Sequence, residues 1–188
     1  MSLRKSCARR ILLEKWDERL ADPGAGLRTV EAVRPVLKHW LSGRRKGPLT
    51  FRLTQILTGH GCFGQYLCQI ARREPTTECH ECGCDRDTAQ HVLEECPAFS
   101  AERRVLVAEV GGDLSLPNIV RRMVSSERSW NVILTFCEAV MSQKEAAERE
   151  RESAPTAPVM RRRRARRRRR GAPNSASSFP PIRVGVLP

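Results

Sequence analysis

Apolar residues recur along most of this chain at the three- and four-residue spacing of amphipathic helices. In residues 4–20, Ile11, Leu12, Leu13, Trp16 and Leu20 follow that period, and "ADPGAG" ends the segment. Thr29 reads as the cap of a second short helix carrying Val30, Val33, Val36, Leu37, Trp40 and Leu41, with Pro35 restricting its first turn. "SGRRKGP" then breaks the chain. From Thr50, Leu53, Ile56 and Leu57 share one face, the pattern pauses at Gly59-His60-Gly61, and it resumes with Phe63, Tyr66, Leu67 and Ile70, which predicts two helices joined at a glycine corner. Residues 98–110 read as helix, "GGD" stops them, and Pro117 opens another. Ser126 or its neighbour caps a last long helix with Trp130, Ile133, Phe136, Cys137, Val140 and Met141 in one stripe and "KEAAERERE" as a charged, solvated end.

Composition agrees with a mostly α fold. Of the 188 residues 40% are hydrophobic but only 5% aromatic, so the core is expected from Leu, Val, Ile and Ala on helices. The predicted organisation is a helical segment over 1–70, a small metal-holding module over 71–97, C-terminal helices over 98–152 and a disordered Arg-rich tail over 153–188, whose Ser/Pro/Gly-rich composition buries too little apolar surface to offset its entropy. No solenoid-length repeat, membrane-length apolar run or signal-peptide pattern is visible. An intracellular, reducing location is expected, where eight cysteines serve as metal ligands and buried thiols rather than as a disulfide framework.

Charge separates the tail from the body. The formal net charge is +13, ten of the 34 basic residues lie after residue 160 and no acid does, so residues 1–160 carry only +3. The run "RRRRARRRRR" supplies Arg161, Arg162, Arg163, Arg164, Arg166, Arg167, Arg168, Arg169 and Arg170. Nine guanidinium groups so close together repel one another unless anions are near, which points to binding of RNA or DNA, or to nuclear import. A nuclear location follows from either.

The chemistry concentrates in "CHECGCDRDTAQHVLEEC", residues 79–96. Cys79 and Cys82 have the two-residue gap that closes a turn around a metal with both sulfurs inward, and Gly83 can take the positive φ such a turn requires. His91 falls on a short helix that Thr88 can cap. Cys96 lies five positions later, about 140° round an ideal helix, so the two side chains would diverge on an unbroken one. Pro97 pushes Cys96 out of the α region and lets its sulfur swing back. The expected ligands are therefore Cys79, Cys82, His91 and Cys96, in the pattern C-x2-C-x8-H-x4-C, holding a structural Zn²⁺. Cys84 competes only as a replacement for Cys82, and the His80 ring should point outward.

Other candidates read as ordinary structure. His60 is expected to hydrogen-bond backbone at the glycine corner, Cys62, Cys68 and Cys137 to be buried thiols, and Cys7 to be exposed. Five aspartates, none adjacent to another, give no paired-carboxylate site, and no nucleophile elbow, phosphate loop or H-E-x-x-H occurs. No catalytic constellation and no small-molecule substrate are expected in this chain, and no membrane partner.

Taken together, "LTQILTGHGCFGQYL" at 53–67, "CHECGCDRDTAQHVLEECPAF" at 79–99, "ERR" with an apolar helix, and "SWNVILTFCEAVMSQKEAAERERE" near the end give the chain a resemblance. Over roughly residues 8–152 it resembles the C-terminal region of the pol-like protein of non-LTR retrotransposons, the type I elements of arthropods that insert into ribosomal RNA genes. The resemblance implies a parent protein with an apurinic-type endonuclease and an RNA-directed DNA polymerase (reverse transcriptase), followed by a cysteine–histidine module that helps bind element RNA or target DNA. Both enzymatic domains are absent here, so a fragment, a truncated copy or a separately retained piece is expected. The alternative is a zinc-stabilised protein-interaction module of a nuclear protein.

Overall fold

A computed structural model describes residues 3–22, 24, 26–42, 47–155, 157 and 161, with side chains from residue 7 onward and not for Ser42. The described residues form helices and no strand. These are α1 (Leu3–Arg19), α2 (Leu27–Val33), α3 (Leu37–Ser42), α4 (Phe51–Thr58), α5 (Gly64–Gln69), α6 (Ala89–Glu94), α7 (Ser100–Val110), α8 (Leu116–Ser125) and α9 (Glu127–Ser153), with 3-10 turns at Arg34–Val36 and Pro97–Phe99. The irregular segment between α5 and α6 carries the Cys79–Cys82 turn.

The long helix α9 is the spine. Its buried positions Trp130, Ile133, Cys137, Val140, Met141, Lys144 and Glu148 recur every three or four residues, and α4, α7 and α8 pack against it. Facing it are Leu53 and Ile56 of α4, Leu106 and Val110 of α7, and Ile119, Val120 and Met123 of α8, which form one continuous core with Val92 and Leu93 of α6. Cys79 and Cys96 belong to that core. The cysteine cluster is thus packed into the body.

Helix ends are set by local chemistry much as the sequence predicts. Gly59 ends α4 in the left-handed region at φ 72°. The Thr50, Thr88 and Ser126 hydroxyls accept the N–H groups of Leu53, His91 and Ser129 at 3.2, 2.9 and 2.9 Å, capping α4, α6 and α9.

Three features differ from the sequence reading. Thr29 is not a cap: α2 starts after left-handed Gly26, and the Thr29 hydroxyl donates to the Leu57 carbonyl at 3.0 Å. Arg28 donates to the Ile56 and Leu57 carbonyls at 2.8 and 3.0 Å. The unpaired carbonyls at the end of α4 draw both side chains away from their own helix. Second, Pro35 splits the expected second helix into α2, a 3-10 turn and α3, because it lacks an N–H and its ring crowds the preceding turn. Third, Lys144 and Glu148 lie in the interior, although both belong to the segment read as solvated. Helix α1 forms as expected, but Ile11, Leu12 and Trp16 remain exposed.

Because Ile133 is fully buried on α9, Ile133→Ala should cost about 2–5 kcal/mol. Val105→Ala, at an exposed position of α7, should stay within about 0.5 kcal/mol. Urea unfolding of the two variants beside the parent measures both; equal losses would show that α9 is not the centre of the core.

Candidate metal centre

The turn Cys79-His80-Glu81-Cys82 is closed by the Gly83 N–H donating to the Cys79 carbonyl at 2.7 Å, with Gly83 at φ 75°. Cys79 N–H donates to the Cys84 carbonyl at 2.8 Å, which closes the loop on its other side. Backbone N–H groups of Glu81 and Cys84 point at the sulfurs of Cys79 and Cys82, and that of Ala98 at Cys96. Each sulfur so acquires an N–H two residues downstream, the arrangement that stabilises a thiolate.

α6 brings the third donor. Thr88 starts it, His91 faces inward on its first turn, and the helix ends at Glu94. Cys96 then adopts φ −52° and ψ 116°, outside the α region, as the following proline demands. Arg103 of α7 secures this corner by donating to the carbonyls of Leu93, Val92 and Cys96 at 2.8, 3.0 and 2.6 Å.

The donor atoms of Cys79, Cys82, His91 and Cys96 converge to within 4.8 Å of one another. Cys79 Sγ and Cys96 Sγ are 3.9 Å apart, and Cys82 Sγ and His91 Nε2 3.3 Å. A tetrahedral zinc with bonds near 2.3 Å to sulfur places its ligand atoms roughly 3.5–3.8 Å apart, so the four donors fit. His91 Nδ1 lies 3.2 Å from Glu95 Oε2, a carboxylate that orients the ring and leaves Nε2 for the metal. Burial, and then the Asp87 charge, push the Cys79 thiol well above its ordinary range, and burial raises Cys96. At Cys82 burial also opposes ionisation, but the Cys84 N–H and the contacts with Cys79, His91 and Cys96 outweigh it and the thiol is lowered. A divalent cation is the natural counter-charge for sulfurs so enclosed.

The competitors are turned away. Cys84 is exposed, and His80 Nε2 pairs with Glu74 Oε1 at 2.9 Å. His60 does not serve the backbone through its ring; it lies against Tyr66, with ring centroids 4.8 Å apart. Cys137 is fully buried, Cys62 and Cys68 half-buried, and Cys7 exposed.

A buried charge cluster that sequence reasoning missed supports the turn. Lys144 Nζ, on α9, contacts Glu81 Oε2 at 2.7 Å and Asp87 Oδ2 at 2.9 Å, and Asp87 Oδ2 also accepts the Gly64 N–H at 2.8 Å. Glu81 Oε2 lies 3.3 Å from Cys79 Sγ. Cys79, Glu81 and Asp87 also lie close enough together to share a cation, but the ammonium already occupies both carboxylates. Desolvation opposes the Lys144 charge, yet Asp87 and Glu81 outweigh it and raise its pKa. A Cβ on Gly64 would sit 2.5 Å from the Glu78 carbonyl oxygen, so only glycine lets α5 approach the loop this closely. The signal available in the sequence was the phase of Lys144 and Glu148 on the stripe of Cys137, Val140 and Met141.

Arg161 is buried, its Nη1 donating to Glu148 Oε2 at 3.1 Å, and it also pairs with Glu74. The other arginines assigned to nucleic acid, Arg162, Arg163, Arg164, Arg166, Arg167, Arg168, Arg169 and Arg170, lie outside the described residues, as does most of the segment expected to be disordered.

Over 95 residues, half of its length, the chain is 32% identical to the "Retrovirus-related Pol polyprotein from type-1 retrotransposable element R1 4" of Nasonia vitripennis. That stretch makes up 24% of the relative, so the chain spans about a quarter of the protein it matches. The matched half is thus similar to part of a retrotransposon Pol polyprotein. No family model and no solved structure matches the chain.

Metal content separates the four donors from their neighbours. Native mass spectrometry of Cys96→Ser should show zinc lost, whereas Cys84→Ser should retain one ion per chain; loss of zinc from Cys84→Ser would reassign the turn. Lys144→Met strands two buried carboxylates and should cost about 3–5 kcal/mol in urea unfolding of the zinc-loaded protein. A loss below about 1 kcal/mol would mean that the ammonium does not hold loop to spine.

Proposed function

We propose that this chain is a zinc-stabilised, nucleic-acid-binding module of a retroelement Pol-like protein, acting in the nucleus on RNA or DNA. The observation that carries the reading is the convergence of Cys79, Cys82, His91 and Cys96 in a chain half of which is similar to a retrotransposon Pol polyprotein. Zinc bound there would act as a structural cross-link, because three thiolates and an imidazole fill a tetrahedral shell and leave no position for substrate. Metal binding in small zinc domains contributes on the order of 10–16 kcal/mol, comparable to the stability of a whole domain. The loop of residues 71–97 would then owe much of its order to the ion.

No catalytic role is assigned to the chain. Asp87 and Glu81 hold an ammonium, Asp113 is exposed and accepts the Ser115 N–H, and among the described residues the only acids in a cluster of metal-ligand type are Glu81 and Asp87 themselves. No described helix is long and apolar enough to cross a membrane.

Affinity on this reading is mainly electrostatic and belongs to the arginine run. Nine residues fully extended span roughly 30 Å, along which duplex DNA presents well over ten phosphates. If about six of the eight arginines after Arg161 pair, log affinity should fall against log salt with a slope near −5. Deleting residues 162–170 leaves buried Arg161 in place and should remove most of that slope, since residues 1–160 carry only +3. Titration of the zinc-loaded chain and the deletion across a salt series, with RNA and DNA of one sequence, measures it. An unchanged slope would remove the tail from binding and leave nuclear import as its role.

A further inference from the structure

A cleft of about 540 Å³ opens beside the metal donors, between the glycine corner after α4, one face of α5 and the start of α6. Its size is that of a ligand site. The Tyr66 and His60 rings lie against each other on its wall, tilted by 32°. Gln65 and Gln69 line the same side, one helical turn apart, and Arg86 reaches it from the loop after Cys84. Among the described residues neither amide side chain, nor the Tyr66 hydroxyl, nor the Arg86 guanidinium has a hydrogen-bond partner. Arg28, also in the wall, is committed to the carbonyls of Ile56 and Leu57 and to Gln90 Oε1.

We infer that this cleft receives unpaired bases of single-stranded nucleic acid, stacked against the Tyr66–His60 pair and hydrogen-bonded by the Gln65 and Gln69 amides. The inference rests on the nucleic-acid reading above and deepens it. An aromatic face, amides with both donor and acceptor, and a guanidinium are the groups that engage bases splayed out of a helix. An acidic peptide or a bare phosphate would need more free cations than Arg86, which shares the cleft with Glu95. A duplex hides its base faces and has nothing to insert. Affinity from this cleft is therefore weakly dependent on salt, unlike that from the arginine run.

Twelve-nucleotide single strands of RNA and DNA of one mixed sequence, and the RNA duplex, are titrated with the zinc-loaded full-length chain. Tyr66→Leu keeps apolar bulk and removes the aromatic face. It should weaken single-strand binding about fivefold or more, the lower end of what one stacked base contributes, with duplex affinity and salt slope unchanged. Gln65→Ala combined with Gln69→Ala alters no charge and should weaken the single strands alone. This double variant carries the test if Tyr66→Leu fails to retain zinc or its thermal midpoint. A larger loss on RNA than on DNA places the 2′-hydroxyl in the cleft and supports the inference, as do equal losses. Unchanged single-strand binding, or equal loss on strand and duplex, overturns the cleft while nucleic-acid binding stands; failure of the intact chain to bind any of the three overturns both.

Discussion

Lys144 Nζ, 1% exposed, is the point on which loop and helical body depend. Removing an ammonium from water costs several kcal/mol, and only close carboxylates recover it. Glu81 and Asp87 provide them from either side of the Cys82-Gly83-Cys84 bend. The Phe63 ring, 5.8 Å from the nitrogen, adds its negative face. Because the ammonium lies 63 and 57 positions along the chain from its two carboxylates, the ion cluster exists only when α9 and the loop are docked. Its net contribution to stability is small beside its effect on geometry: an apolar contact would tolerate sliding, and an ammonium between two buried carboxylates does not.

That constraint reaches the metal donors directly. Glu81 lies between Cys79 and Cys82 and touches the Cys79 sulfur, so the residue that binds the spine also shapes the turn. A zinc bound by the three thiolates and a neutral imidazole would carry a charge near −1, and the two carboxylates add two more negative charges against one ammonium. That excess negative charge would be met by dipoles already in place: N–H groups of Glu81, Cys84 and Ala98 at the sulfurs, and of Gly64 at Asp87. The absence of a Cβ at Gly64 brings that last donor close enough.

Much of this could be read before folding, and the limit has a physical form. Cys79, Cys82, His91 and Cys96 were legible because spacing, Gly83 and Pro97 act within one short segment, where backbone sterics decide the outcome. The caps Thr88 and Ser126 were legible for the same reason. Thr29, Lys144 and Glu148 were not, since each takes partners from another element: Thr29 from the end of α4, Lys144 from the loop, Glu148 from Arg161 and from Arg73 after α5. Local propensity assigns a threonine to a cap and a run of Lys and Glu to solvent, and tertiary demand overrides both. The exposed apolar face of α1 shows the converse, a helix whose period was read correctly and whose burial was not implied by it.

The pairing of Arg161 with Glu148 and Glu74 ties the two proposed binding elements together. Glu148 is one turn beyond Lys144 on α9, and Glu74 also holds His80 of the metal turn, so Arg161 is fixed at the base of the loop. Arg161 is the first residue of the arginine run, and the other eight arginines of the run follow it in the chain. A strand neutralised by that run would be delivered at high effective concentration to the loop and to the cleft beside it, with no affinity required of the cleft on its own. Charge would then supply capture without regard to sequence, and stacking at Tyr66 would select for unpaired bases among what is captured. Separating the two functions in this way would also account for a body of nearly balanced charge: a cleft that reads base faces would gain little from a strong positive field, which would hold duplex and single strand alike.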